Sequence, residues 1–116
     1  MLQVGNTYQY RLFLEIFMKI LVFWLKNCKH CDKLKKELKK LPKDFEQPIL
    51  IEHEHMSNLQ RKKYNIKIFP TIVFLSNNNK ILNTVSGYQN INDIIKEYNG
   101  VKLLENILNR NYKTLQ

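Results

Sequence analysis

Several residue types are scarce or missing in this chain, and each shortage excludes a class of protein. The 116 residues include no alanine, two cysteines, three glycines and three prolines. Two cysteines can form only one disulfide bond, which excludes a secreted scaffold held together by several disulfides. No repeat, proline-rich linker or low-complexity tract divides the sequence, and its length fits one domain, so a second domain is also excluded.

Acidic residues are scarce as well. Ten Asp and Glu oppose 19 Lys and Arg, which gives a net charge of +9. A basic balance of this size is compatible with nucleic acid, an anionic membrane or an acidic protein partner. However, sixteen Lys against three Arg, with fourteen Asn, indicate a bias toward AT-rich codons, so part of the charge carries no functional information. The hydrophobic content of 44% is enough for a core and excludes a disordered chain.

Long apolar runs are missing too. The most apolar stretch, Leu12–Leu25, spans about fourteen residues and contains Glu15 and Lys19, short of the about 20 residues that a membrane-spanning helix needs. It lacks the small-residue cleavage site of a secretory signal and leads directly into a cysteine motif. We therefore predict a cytoplasmic protein with no membrane partner.

The hydrophobic pattern predicts an α/β domain with a mixed sheet. Residues 1–17 fit a strand by alternation and a helix by their apolar face, so we treat them as an N-terminal extension of uncertain structure before a domain at 18–116. Short apolar runs predict four strands, at Lys19–Leu25, Ile49–His53, Thr71–Leu75 and Lys80–Val85.

Three helical segments are expected between and after these strands. The first follows Cys28, carries an inward apolar stripe and ends at Pro42. A capping-box pattern, Ser57-x-x-Gln60, opens the second. The third starts at Asn90-x-x-Asp93 and is stopped by Asn99-Gly100, with a further helical segment after it.

We expect the reactive site at Cys28-Lys29-His30-Cys31, where a buried strand ends and a helix begins. Unpaired backbone N–H groups and the helix dipole favour a thiolate at Cys28, and such motifs lower the thiol pKa to about 3.5–7.5. Lys29 and His30 add positive charge next to it. Cys31, one turn further and facing inward, can then resolve a mixed disulfide formed by Cys28.

Other interpretations of the two cysteines remain open. They could be inert core thiols, or they could bind a metal together with His30, His53 or His55, although structural zinc sites usually need four ligands. The lysine-rich face at Lys33–Lys43 is also compatible with a non-catalytic adaptor or a nucleic-acid binder. The absence of aromatic residues among those lysines argues against nucleic acid.

Two segments resemble the thioredoxin family over about residues 18–98. Phe23-Trp24-x-x-x-Cys28-x-x-Cys31 is similar to the family's F-W-x-x-x-C-x-x-C run, and the segment Tyr64–Thr71 is similar to its Y-G-I-R-G-I-P-T. Gly87 falls where the family has a glycine after the hairpin. The length is nearer that of a glutaredoxin.

This resemblance implies a thioredoxin-like fold and a thiol-disulfide oxidoreductase that reduces protein disulfides without a prosthetic group. A thioredoxin-reductase-like enzyme or a small thiol would supply the electrons. It also implies that Pro70 is cis, and that the residues shaping the substrate groove are Trp24, Phe69, Pro70 and Gly87.

The sequence also departs from the thioredoxin pattern. Val22 stands where thioredoxins carry a buried Asp, and Ile51 falls near the position of that residue's Lys partner. Lys29-His30 replaces the usual Gly-Pro and is more similar to the bacterial periplasmic oxidants, in which a stabilised thiolate makes the disulfide more oxidising.

Overall fold

The computed structural model describes residues 18–115, and within them four strands form one mixed sheet. Its spatial order is β2-β1-β3-β4, with β1 parallel to β2 and antiparallel to β3, and β3 antiparallel to β4. This confirms the expected mixed four-stranded sheet of a thioredoxin-like fold. The strands span β1 (Lys19–Trp24), β2 (Ile49–Glu52), β3 (Thr71–Leu75) and β4 (Ile81–Ser86).

The two central strands are the most apolar ones. All five residues of β3 are buried, and so are the four middle residues of β1. A strand buried on both faces needs apolar side chains at successive positions, which the sequences TIVFL and KILVFW supply. The outer strands β2 and β4 are largely exposed or half-buried, as expected at the edges of the described sheet.

Three helices, α1 (Lys29–Leu38), α2 (Asn58–Tyr64) and α3 (Ile91–Leu115), flank this sheet. Ser57 and Gln60 form the predicted capping box at the start of α2. At the start of α3, the Asn90 side chain accepts a hydrogen bond from the backbone N–H of Asp93 at 2.9 Å. These bonds satisfy N–H groups that the first helical turn leaves without partners, so both sequence patterns are confirmed as helix starts.

Two apolar clusters cover the two faces of the sheet. On one face, Val22 and Phe74 pack with Leu34 of α1 and Ile94 of α3; on the other, Phe23 and Val73 pack with residues near α2. Complete burial of each such side chain contributes about 1.5–3 kcal/mol. Because α1 follows β1 directly and packs on the first cluster, the β1–α1 junction is fixed in place, and this junction carries the cysteines.

Some predicted boundaries were wrong. Helix α1 ends at Leu38 and not at Pro42, because Leu41 N–H bonds to the carbonyl of Leu38, three residues back, and tightens the chain into a turn. Helix α3 continues through Gly100 to Leu115. A glycine inside a helix costs only about 1 kcal/mol, and the half-buried Val101 packs against the first cluster and offsets that cost.

Strand β3 has the predicted bounds, β1 and β2 each end one residue earlier than predicted, and β4 is shifted by one residue. His53 therefore lies with His55 in a short 3-10 turn and not on β2. The predicted extension at residues 1–17 lies outside the described residues. In the described part of the chain, no helix is long and apolar enough to cross a membrane.

Candidate active site

Cys28 is the N-cap residue of α1. Its backbone is extended (φ −111°, ψ 109°), and its Sγ accepts a hydrogen bond from the backbone N–H of Cys31 at 3.2 Å. Asn27, immediately before it, has φ 58°, a left-handed conformation that asparagine tolerates better than most residues. The turn therefore places the sulfur of Cys28 at the positive end of the helix dipole, where a thiolate is stabilised.

Cys28 and Cys31 are joined in a disulfide with a Cα–Cα separation of 5.2 Å. The two sulfurs differ in access, since Cys28 is half-buried whereas Cys31 is 1% exposed. An incoming disulfide can therefore reach Cys28, and Cys31 contacts only its protein neighbours. Such a pair at the edge of a fold can exchange electrons with an external disulfide.

A second segment lies directly opposite the cysteines. The Phe69–Pro70 peptide bond is cis, the isomer implied by the resemblance. The carbonyl oxygen of Phe69 lies 4.0 Å from Cys28 Sγ, although the two residues are 41 positions apart in the chain. Pro70 is buried and Phe69 half-buried, so the loop before β3 forms one wall of the site.

Gly87 belongs to a third segment that joins this wall. Its N–H donates to the carbonyl of Pro70 at 2.7 Å. With φ +91° it has a conformation that side-chain-bearing residues rarely adopt, and apart from its two chain neighbours no heavy atom of the described residues lies within 4 Å of the position a Cβ would occupy. The described residues therefore leave the space above Gly87 open, so the surface of the site is low at this position.

Basic residues lie beside the cysteines in the first turn of α1 and beside Trp24 at the end of β1. Lys29 and His30 are exposed at the start of α1. Lys35, further along the helix, places its ammonium 2.9 Å from the centroid of the Trp24 ring. A cation over an indole face is attracted by the ring quadrupole, so this contact ties Trp24 to the active-site helix.

Sequence reasoning missed a charged cluster beside the β1–α1 loop. Glu52, the buried carboxylate among the described residues, lies 3.5 Å from Lys26 Nζ and 3.7 Å from His55 Nδ1. One of its oxygens, Oε1, is buried and accepts no hydrogen bond from the described residues. The sequence did contain a signal for Glu52. Successive side chains of a strand point to opposite faces of the sheet, so Glu52 lies on the same face as Leu50 at the end of the apolar strand β2.

Val22 and Ile51, the two departures from the thioredoxin pattern, do not lie side by side. The register pairs Val22 with Leu50, and Ile51 with Phe23. Val22 is therefore in the cluster under α1, and Ile51 packs against the cluster on the opposite face. Both positions are filled by apolar packing, and among the described residues the buried carboxylate is that of Glu52, on β2.

Glu37 ties the active-site helix to the loop that follows β4. Its carboxylate accepts a hydrogen bond from the backbone N–H of Ile91, at 3.1 Å, and forms an ion pair with Lys40. The hydrogen bond from Lys40, followed by that from Ile91, lowers the pKa of Glu37 below its ordinary value. The charged form thus holds the Gly87 segment against α1.

The three histidines do not gather around the cysteines. His30 is exposed on α1, His53 packs edge-on against the Phe69 ring at 5.2 Å, and His55 lies next to Glu52. Within residues 18–115, no group of three or more His, Cys, Asp or Glu residues is placed to hold a metal ion.

These features agree with comparisons to known proteins. The sequence profile of the thioredoxin-like domain matches residues 17–102, and the chain belongs to this family. A malaria-parasite thioredoxin-2, described as a component of protein secretion machinery, is 26% identical with a TM-score of 0.60, over 72% of this chain and 82% of its own. No functionally curated protein matches the sequence.

Two further solved structures are similar. An uncharacterised thioredoxin-like protein from Clostridium perfringens is 25% identical, with a TM-score of 0.62, over 75% of this chain and 72% of its own. A thioredoxin from Aeropyrum pernix has the same TM-score at 18% identity, over 81% and 82% of the two chains, and supports the fold alone. At the level of the family, the fold and the cysteine pair support thiol-disulfide oxidoreductase chemistry.

Proposed function

We propose that this chain reduces disulfide bonds in proteins, with Cys28 as the nucleophile and Cys31 as the resolving thiol. The observation that carries the proposal is the unequal access of the two sulfurs. Cys28 caps α1 and reaches the surface, whereas Cys31 is 1% exposed behind it. A substrate disulfide can contact the first sulfur and not the second, which supports this order of the two steps.

In the reduced protein, the Cys28 thiolate attacks one sulfur of the substrate disulfide. A Cys28–substrate mixed disulfide forms, and the other substrate sulfur leaves as a thiolate that takes up a proton. The Cys31 thiol, after losing its proton, attacks Cys28 Sγ, which closes the Cys28–Cys31 disulfide and releases the second substrate thiol. The substrate gains two electrons and two protons, and the protein is oxidised from dithiol to disulfide.

The surrounding residues have supporting roles in this proposal. Lys29, His30 and the start of α1 stabilise the Cys28 thiolate. Trp24, Phe69, Pro70 and Gly87 form the groove against which the substrate lies. The Phe69 carbonyl, 4.0 Å from Cys28 Sγ, supports a substrate backbone that lies along the loop before β3 while its disulfide contacts Cys28.

A reductant must return the protein to the dithiol state after each cycle. We propose that a thioredoxin-reductase-like enzyme or a small thiol does this in the cytoplasm, where thiols are kept reduced. No prosthetic group is needed, because the two cysteines hold both electrons.

The proposal is tested with two serine variants. Cys28→Ser removes the attacking thiolate, and we expect it to abolish the reduction of insulin disulfides by the chain with dithiothreitol as reductant. Cys31→Ser keeps the first step and loses the second, so it should accumulate a mixed disulfide visible by mass spectrometry. A Cys28→Ser protein with wild-type activity would refute the mechanism.

A further inference from the structure

Three loops meet at the active site, and each one brings an exposed apolar side chain. They are residues 25–28 after β1, residues 65–70 before β3 and residues 87–90 after β4. Their contact is direct, since Cys28 Sγ lies 4.0 Å from the Phe69 carbonyl and Gly87 N–H donates to the Pro70 carbonyl at 2.7 Å. The surface around Cys28 is thus assembled from all three.

The apolar side chains are Leu25, Ile68 and Tyr88, one on each loop. Their exposed fractions are 38%, 56% and 41%. Exposed apolar side chains scattered singly are normal, but these three lie on loops that contact one another at Cys28, where one partner can cover all three. We call these three residues the apolar rim.

The charge of the same loops has one sign. Lys26 and Lys67 are exposed on two of them, Lys29 and His30 follow at the start of α1, and neither Asp nor Glu occurs in the three loop sequences. Lys26 is partly neutralised by Glu52 and Glu54, at 3.5 and 3.7 Å.

Lys67 and Lys29 have no such neighbour. Among the described residues, no carboxylate lies within ion-pair distance of either ammonium. The acid nearest to Lys29 along the sequence is Asp32, one turn into α1 and exposed, and the acid nearest to Lys67 is Glu54, thirteen positions before it. The positive potential at the site is therefore available to a partner, and charges within about 8–10 Å of it are screened only partly at physiological salt.

We propose that the site selects acidic polypeptides whose disulfide is flanked by an apolar side chain. This inference rests on the proposed function and adds the chemical class of its substrate. The acidic residues of the substrate meet Lys67 and Lys29, and its apolar residue packs on the apolar rim while its disulfide faces Cys28. Complementary charge raises the rate of productive encounter, and the apolar contact slows dissociation before the exchange step.

The test uses four peptides of equal length, each with one internal disulfide. Two have acidic flanks and two have basic flanks, and within each pair the residue beside the first cysteine is Leu or Ser. The pre-reduced chain is mixed with each peptide in single-turnover reactions at low and at high ionic strength. We expect the acidic peptides to react about tenfold faster than the basic ones at low ionic strength, and salt to reduce this difference.

Four variants test whether Lys67 and the apolar rim cause the preference for acidic peptides and for Leu. Lys67→Glu should lower the acidic-to-basic rate ratio by about threefold to tenfold. Lys80→Glu carries the same charge change but lies before β4, about 20 Å from the site by strand length, and should alter the ratio by less than about twofold. Ile68→Ser should remove most of the preference for Leu, whereas Leu59→Ser, an 80% exposed leucine on α2, should not.

Equal rates for acidic and basic peptides at low ionic strength would overturn the inference. So would a Lys80→Glu effect as large as that of Lys67→Glu. An uncharged small disulfide, hydroxyethyl disulfide, separates this failure from that of the proposed function. If the chain reduces that compound but does not discriminate among the peptides, the substrate class is wrong and the activity stands. If it reduces none of them, both proposals fail.

Discussion

The two ends of the sheet are both closed by loops, but different kinds of contact hold them. At one end, the turn between β3 and β4 is closed by its own residues: Ser76 N–H donates to the Lys80 carbonyl at 2.8 Å, and Asn79 N–H donates to the Ser76 carbonyl at 2.9 Å. At the other end, Cys28 faces Phe69 from 41 positions away, and Ile91 N–H reaches Glu37 across 54 positions.

This difference separates a locally encoded structure from one that needs the whole fold. The hydrogen bonds that close the turn, from Ser76 N–H to the Lys80 carbonyl and from Asn79 N–H to the Ser76 carbonyl, join residues at most four positions apart, so the shape of the turn depends mainly on a short stretch of sequence. Lys19 and Lys63 add exposed hydrogen bonds to Asn79 from outside the turn. The site is positioned by α1, the loop before β3 and the loop after β4, each held by a different part of the core. A change at the site end should therefore affect exchange chemistry, whereas a change at the turn end should affect stability alone.

The largest effect outside the cysteines is expected at Gly87. Gly87→Ala forces a side-chain-bearing residue to adopt φ +91°, which should lower the free energy of unfolding by about 1–2 kcal/mol. The rate of disulfide exchange should fall with it, because the strained segment bonds to Pro70. The measurements are chemical denaturation and the insulin assay.

The matched control for Gly87 lies at the turn end. Asn79 also has a positive φ, of 65°. Asn79→Gly keeps this conformation, which glycine adopts readily, and loses only the exposed hydrogen bond from Lys19 Nζ to Asn79 Oδ1, so it should change stability little and exchange not at all. A Gly87→Ala protein with wild-type stability would show that the loop relaxes to another conformation. It would contradict the expectation that the site end is more sensitive than the turn end.

The next effect concerns the redox potential of the site. His30→Pro removes the imidazole that we propose stabilises the Cys28 thiolate, and proline is tolerated in the first turn of a helix. Because the reduced form then loses stabilisation, we expect the potential to become more negative by about 30 mV, a tenfold change in the exchange equilibrium. Equilibration with glutathione buffers measures this shift.

His55→Gln is the control for the redox measurement, since it removes an imidazole that lies beside Glu52 and not in the cysteine motif. An unchanged potential in His30→Pro would mean that the helix start alone sets the thiolate stability. A shift of equal size in His55→Gln would assign the effect to the overall charge.

At the turn end, Ser76→Ala should cost stability and leave the chemistry unchanged. The Ser76 hydroxyl oxygen accepts a hydrogen bond from Lys80 N–H at 3.0 Å and also bonds with the Asn78 side chain. Its loss should lower the free energy of unfolding by about 1 kcal/mol. Exchange rates measured well below the unfolding temperature should match the wild type; a slower Ser76→Ala enzyme would show that the two ends are coupled.

The difference between local contacts and contacts between distant segments also explains which features could be predicted from the sequence. The apolar runs predicted β1 and β3, and Ser57-x-x-Gln60 predicted the start of α2, because each signal lies within a few residues. The spacing Cys28-x-x-Cys31 likewise places the first sulfur at a helix start. These features depend on local patterns that tertiary packing did not override.

The contacts that the sequence did not reveal join distant segments. Nothing in the pattern indicated that Lys35 covers Trp24, or that Lys26 pairs with Glu52. The same cause made the predicted helix stop at Gly100 wrong: the local signal favoured an end, and the packing of the following residue on the core outweighed it.

The smallest effect is expected at the contact between Glu37 and α3. The hydrogen bond from Lys40 lowers the pKa of Glu37 below 4.5, so its charged form stabilises the folded state above that pH. This contribution is lost as the pH falls through the lowered pKa. It should be modest, because Lys40 is 61% exposed and water screens the pair. Wild type and Glu37→Gln should therefore differ in thermal unfolding at pH 7 and converge below pH 4.5; parallel curves across this range would show that the charge of Glu37 does not hold the site end together.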